Sequence, residues 1–183
     1  MRSIVNSTFV SLDGVINHMD KWHFDYVDAE TDAFALDQLM ASDAMLMGRK
    51  TYDVYASAWP NRDDAYAKRI NSVHKYVAST SLTEPAWNDT TVLSGDLVES
   101  VRDLKAGPGG PILMHGYGPV AKTLLGAGLL DEVHFWIHPV LAGVGAADDL
   151  LLHAGLNLVL QPAGQHTFKN GVVVLSYRAG HGA

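Results

Sequence analysis

The chain has 183 residues, 48% of them hydrophobic and 18% charged, enough for one substantial core and cramped for two, so a single globular domain over 1–183 is expected. A formal charge of −7 and a pI near 5.6 argue against a nucleic-acid partner, whose phosphates are met by basic contacts. With no cysteine there are no disulfides or thiolate metal sites, and the start MRSIVNSTFVSLDG is neither a signal peptide nor a membrane span, so the expected compartment is the cytoplasm.

In chain order, residues 2–12 (RSIVNSTFVSL) read as a strand of branched and small residues closed by a turn at Asp13 and Gly14. A polar, aromatic loop covers 17–26. Residues 29–41 place Ala33, Leu36, Leu39 and Met40 at helical spacing. Residues 44–47 form a short buried strand, 51–58 a helix, 65–71 another helical turn or two, 73–78 and 91–93 strands. Asp96 is the expected N-cap of a helix reaching Lys105, with Glu99 completing a capping box and the glycines of 107–110 ending it. Strand 111–115 follows, then a helix with Pro119 in its first turn that ends at Gly126 or Gly128. The last third is mostly strand: VHFWIHPVL, LNLVLQPAG and GVVVLSYRA. Alternating β and α with a terminal run of antiparallel strands implies a mixed, mainly parallel sheet with helices on both faces.

Two strand-to-helix junctions carry the chemistry. Met45 to Tyr52 (MLMGRKTY) and Pro111 to Pro119 (PILMHGYGP) each run from an apolar stretch into glycine at a helix start. Free backbone N–H groups and the helix dipole favour an anion there, and glycine lets it come close. Two such junctions suit a ligand with two phosphate-bearing regions, a dinucleotide. Gly116, Gly118 and Ala121 also satisfy G-x-G-x-x-A, but this fingerprint belongs to the first βαβ unit and expects an acid about 20 residues on; Asp131 and Glu132 come sooner. His134 and His138 would face one metal only on a helix; on a strand four residues span about 13 Å, so the pair reads as structural and no metal is expected. G-x-S-x-G is absent. The N-x-[ST] triplets at Asn6 and Asn88 read as chance matches.

Five blocks, Val10 to Ile16 (VSLDGVI), Leu46 to Tyr52 (LMGRKTY), Lys75 to Thr80 (KYVAST), Ile112 to Gly118 (ILMHGYG), and Leu130 to Val133 (LDEV) with His138 to Gly145 (HPVLAGVG), follow the order of the dihydrofolate reductase-like family. The chain most resembles its branch similar to the C-terminal reductase domain of bacterial riboflavin-biosynthesis deaminase-reductases, over nearly the whole length. The resemblance implies a three-layer α/β/α fold with a mixed, mainly parallel sheet and C-terminal antiparallel strands, NADPH as cofactor, a small heteroaromatic substrate such as a pterin or related pyrimidine, and often a homodimer.

By the same resemblance, Arg49 meets the adenosine 2′-phosphate, for which a guanidinium fork is suited, and Lys50 adds charge. Gly48 opens the junction. Thr51 bonds the pyrophosphate or is a plain N-cap. Ser79 and Thr80 cradle the adenosine end or form a simple turn. Gly116, Tyr117, Gly118 and Val120 match the second junction, where closer relatives often carry a serine. Asp13, Gly14, Val15 and Ile16 resemble the start of a mobile loop over the nicotinamide, Ile16 being the apolar wall. Trp22, later in that loop, is a catalytic-site candidate or a loop anchor. The carboxylate that grips the ring and supports protonation in the folate-reducing relatives falls on Asp32, or on Asp28 one turn earlier; an exposed helical acid can equally be part of a solvated face. Only Lys21 is basic between residues 17 and 40, which disfavours a ribityl-phosphate substrate. Two other classes stay open: a nucleotide-binding protein that has kept the fold without the chemistry, and an interaction module built on the apolar C-terminal strands, whose abundance predicts a homodimer.

Overall fold

The computed structural model describes residues 1–151 and 154–179. Eight strands, β1 (Ile4–Ser11), β2 (Ala44–Gly48), β3 (His74–Ala78), β4 (Thr90–Leu93), β5 (Ile112–His115), β6 (Glu132–His138), β7 (Leu160–Thr167) and β8 (Val173–Ala179), form one sheet in the order β4-β3-β2-β5-β1-β6-β8-β7. The first six pair in parallel, whereas β8 is antiparallel to β6 and β7. Five helices cross between them: α1 (Ala29–Met40), α2 (Arg49–Ala58), α3 (Ala65–Ser72), α4 (Leu97–Ala106) and α5 (Pro119–Gly126). The chain therefore has the three-layer, mainly parallel dihydrofolate reductase-like architecture.

Strand alternation splits the core into two layers. Ala44 and Leu46 of β2, with Ile112 and Met114 of β5, meet Val101 of α4 and Ala121, Leu124 and Leu125 of α5. Met45, Met47 and Leu113, pointing the other way, meet Leu39 of α1, Tyr52 of α2 and Ile70 of α3. A third cluster continues this second layer: Trp136 of β6, Val174 of β8 and Phe168, with Phe34 of α1 against them. As the alternation of β6 requires, Phe135 lies on the opposite side from Trp136, next to Tyr117 and Tyr177.

Most elements fall where the sequence pattern puts them, and the differences have identifiable causes. Helix α2 starts at Arg49 rather than Thr51, with Gly48 as its N-cap, because a Gly–Arg–Lys run offers no side-chain cap to delay it. Asp96 accepts from the Glu99 N–H at 2.9 Å, but the reciprocal capping box forms instead on α1, between Asp28 and Thr31. The strand read over LNLVLQPAG begins only at Leu160 and runs on to Thr167. Its residues are mostly exposed, and a bulge falls between Pro162 and Gly164, as an edge strand tolerates; an edge strand need not show apolar alternation.

Buried charges tie down the edge of the sheet where the parallel strands begin. Arg2 pairs with Asp43 and donates to the Gly110 carbonyl at 2.9 Å, and Lys105 pairs with Asp131, which also accepts from the Ile4 N–H at 2.7 Å. The fully buried Lys75 donates to the carbonyls of Asn71, Val73 and Asn88 at 2.8–3.1 Å and lies over Trp87. Buried charges with such partners are satisfied rather than stranded. Among the described residues no helix is long and apolar enough to cross a membrane.

Candidate active site

The other edge, where the parallel strands end, collects the predicted residues, as expected where the strand order reverses direction in an open α/β sheet. β5 runs between β1 and β2, so the two glycine junctions lie side by side. A Cβ on Gly48 would stand 3.1 Å from Val120 Cγ2, and one on Gly116, whose φ is +80°, would meet Thr51 Oγ1 at 3.4 Å. Gly48 is thus tightly packed against the second junction, whereas Gly116 is favoured by its positive φ and not by its contact with Thr51. Buried Asn6, on β1, holds the second junction in place by donating to the Gly116 carbonyl at 2.8 Å while accepting from Thr8 Oγ1 at 3.1 Å. It is not an accessible glycosylation site.

The helix caps divide by location. Asp28, Asp64 and Asp96 cap α1, α3 and α4 with their carboxylates. The two helices that start at the glycine junctions have Gly48 and Gly118 as N-caps, with no side-chain cap and no acidic residue in the first turn. Their leading N–H groups are left for an anion. Thr51 is accordingly not an N-cap; it sits in the first turn of α2. Arg49 stands above the same junction, its Nε donating to Asp53 at 2.7 Å and its Nη1 to Ser81 Oγ at 3.4 Å. The Ser79 hydroxyl caps the turn after β3 by accepting from the N–H groups of Ser81 and Leu82. Lys50 and Thr80 are exposed. Tyr117 contributes its backbone to the junction, since its ring is buried in the α4–α5 layer.

The loop after β1 is pinned rather than open. Asp13 accepts from the Ser11 hydroxyl and from the N–H groups of Ala142 and Gly143 at 3.0 and 2.8 Å, which lowers its pKa to about 2. Asp149 does the same for Asn17, His18 and Ala146 and is likewise lowered to about 2. Ile16 is buried in the α4–α5 core layer, and Trp22 is a buried loop anchor whose Nε1 donates to the Asn17 carbonyl at 2.9 Å.

Beyond that loop a cleft lies over α1 and the ends of β1 and β6, lined by Phe9, His23, Tyr26, Asp32, Trp136 and His138 among others. Asp32 faces it, and burial together with the neighbouring Asp28 and Asp64 carboxylates raises its pKa, partly offset by Arg62. Asp28 does not have this freedom. Its carboxylate accepts from the N–H groups of Glu30 and Thr31 and from Asn170 Nδ2, all near 3 Å, and its pKa is lowered. His138, which reads from sequence as a structural residue, stands at the cleft with its Nε2 3.0 Å from His23 Nδ1. No local spacing signals this pair, because 115 residues separate its members. His134 turns to Gln38 of α1 at 2.8 Å, so the two β6 histidines do not share a site.

Family models place the chain directly: residues 2–174 match the RibD C-terminal domain. The chain belongs to the RibD C-terminal domain family. The Bacillus subtilis protein YyaP, itself uncharacterised, is 29% identical over 181 residues, covering 96% of this chain and 94% of YyaP. A Shewanella sp. PV-4 protein named for riboflavin biosynthesis superposes with a TM-score of 0.73 at 23% identity over 98% of this chain and 99% of its own. The Enterococcus faecalis dihydrofolate reductase, solved with NADP(H) and RAB-propyl, superposes at a TM-score of 0.61 with 11% identity over 96% and 94% of the two chains. These solved structures share the fold.

Next to the site, the half-buried His115 at the end of β5 is hydrogen-bonded through Nδ1 to the Tyr55 hydroxyl at 2.8 Å, and desolvation lowers its pKa from the ordinary 6.5 to about 4. The unfolded chain therefore takes up this proton first, so stability is full above pH 6.5 and falls as the pH drops toward 4. Between pH 7.5 and 5 this one group costs about 2 kcal/mol. Urea unfolding at the two pH values should show His115→Gln, whose amide oxygen can still accept from Tyr55, losing about that much less than wild type. Equal losses would contradict the assignment.

Proposed function

We propose that this protein is an NADPH-dependent reductase of a small heteroaromatic substrate such as a pterin or related pyrimidine. The observation that carries the reading is the pair of uncapped, acid-free helix starts meeting across Gly48 and Gly116, where the other α-helices among the described residues, α1, α3 and α4, each carry an aspartate cap. That cradle fits a pyrophosphate, and the likeness to a reductase solved with NADP(H) supports the choice of dinucleotide. When bound, the cofactor supplies the hydride. The leading N–H groups of α2 and α5 and the Thr51 hydroxyl would hold its phosphates, and Arg49 and Lys50 would supply positive charge for the 2′-phosphate. Ser79 and Thr80 border the adenosine end. Asp13, by pinning the loop after β1 to residues 142–143, keeps that loop over the site, with Trp22 and Ile16 as its apolar anchors excluding water. Asp32, its pKa raised by partial burial and by the Asp28 and Asp64 carboxylates, grips the ring and supports its protonation.

NADPH should bind more tightly than NADH in a fluorescence titration, and Arg49→Ala should remove most of the preference, since each charge-assisted bond is worth about 1.5–3 kcal/mol. Equal affinity of wild type for the two cofactors overturns the assignment of Arg49.

Asp32→Asn should lower turnover in a screen of dihydropterins, flavins and quinones while leaving NADPH affinity intact. Asp28→Asn should do little to turnover and at most cost about 1 kcal/mol of stability, because its carboxylate is a cap. If Asp28→Asn alone lowers turnover, the roles are reversed. NADPH binding without turnover of any substrate would favour a nucleotide-binding protein without the chemistry.

The same reading includes a homodimer. Phe135 and Tyr177, side by side on β6 and β8, remain half-buried, and Leu141 and Val159 are largely exposed, more apolar surface than one copy covers. Light scattering at micromolar concentration should return twice the monomer mass of 19.8 kDa; the monomer mass would contradict it.

A further inference from the structure

The hydrogen bonds around the cleft have a direction that follows from one atom. His138 Nδ1 lies 2.9 Å from the Trp136 carbonyl, and a carbonyl only accepts, so His138 carries its proton on Nδ1 and its Nε2 is a bare acceptor. His23 Nδ1, 3.0 Å away, must then donate to it. The His23 proton is thereby committed to Nδ1, and its Nε2, which has no protein partner among the described residues, is left as an acceptor. The pair is held rigidly: Phe9 stacks on His23 with ring centres 4.0 Å apart, and Trp22 and Tyr26 meet the His138 ring edge-on at 5.0 and 5.5 Å.

We propose that His23, oriented by His138, is a specificity-determining residue of this cleft: it presents a fixed hydrogen-bond acceptor that selects an uncharged or cationic planar ring bearing N–H donors and rejects phosphorylated or otherwise anionic rings. The inference rests on the reading that the cleft is the substrate site. The lining residues include no lysine or arginine, and their one charged group is Asp32, another acceptor. Two acceptors and a set of aromatic faces offer an anion nothing, whereas a ring N–H or amino group satisfies both. Burial lowers the pKa of both imidazoles, that of His23 to about 4, so the pair stays neutral at pH 7 and does not become a donor to a phosphate. His138 is a positioning residue: it acts by choosing the tautomer of His23.

Two measurements test this without using turnover. Long-range proton–nitrogen NMR of the nitrogen-15-labelled protein should show both His23 and His138 as Nδ1–H tautomers; an Nε2–H tautomer at His23 overturns the proposal. Calorimetry then compares two probes on one ring system, 2-aminobenzimidazole, which offers N–H donors, and benzimidazole-2-carboxylate, an anion. Wild type should bind the amine and not the carboxylate. His23→Phe and His138→Phe should each weaken the amine by about tenfold, the scale of one lost hydrogen bond, while His138→Gln, whose amide oxygen can still take the His23 proton, should retain most of the affinity. NADPH affinity, unchanged across the variants, reports that they are folded. Preference for the carboxylate, failure of wild type to bind the amine, or full affinity in His23→Phe each overturns the inference. A wild type that shows the tautomers and binds the amine but not NADPH leaves this inference standing and removes the cofactor reading instead.

Discussion

The position of β5 between β1 and β2 is the constraint on which the site depends. It places the β2–α2 and β5–α5 junctions beside one another: Gly48 packs closely on Val120, and Gly116, within van der Waals reach of Thr51, takes a positive φ that favours glycine. Asn6 secures the arrangement from β1 through its bond to the Gly116 carbonyl. A buried amide satisfied in this way is costly to replace, since removing it strands the groups it serves.

The two edges of the sheet are built differently. Where the parallel strands begin, Arg2 with Asp43 and Lys105 with Asp131 satisfy one another, and Lys75 is surrounded by carbonyls. Where they end, backbone donors are left without side-chain caps and the bonds that close the loops run from Asp13 and Asp149, carboxylates held ionised by backbone and side-chain donors. Stability and function are thus separated along the strands. One edge closes its polar groups internally, and the other keeps donors for something outside the protein.

The glycine junctions at the ends of β2 and β5 and the cleft at the ends of β1 and β6 differ in polarity. On the side of the junctions the groups presented are N–H donors; in the cleft they are acceptors, His23 Nε2 and Asp32, set among aromatic rings. On the proposed reading, a ligand bridging the two carries negative charge at one end and N–H groups at the other. A reduced dinucleotide beside an amino-substituted heterocycle has that distribution of polarity.

Local pattern in the sequence was sufficient for the elements, for the sheet class and for the two glycine junctions, because strand alternation, helical spacing and glycine at a helix start are all short-range signals. It also located Arg49, Thr51, Gly116 and Gly118 at one edge, since parallel strands all end on the same side. It could not decide between Asp32 and Asp28 as the free carboxylate, because that depends on which one the α1 N-terminus uses as its cap, nor set the bounds of β7, an exposed edge strand without apolar alternation that starts and ends later than the pattern suggests. The His23–His138 pair was illegible for a different reason. A hydrogen bond between residues 115 positions apart leaves no spacing in the chain, and its direction is set by the Trp136 carbonyl, a backbone atom whose availability only the completed sheet determines.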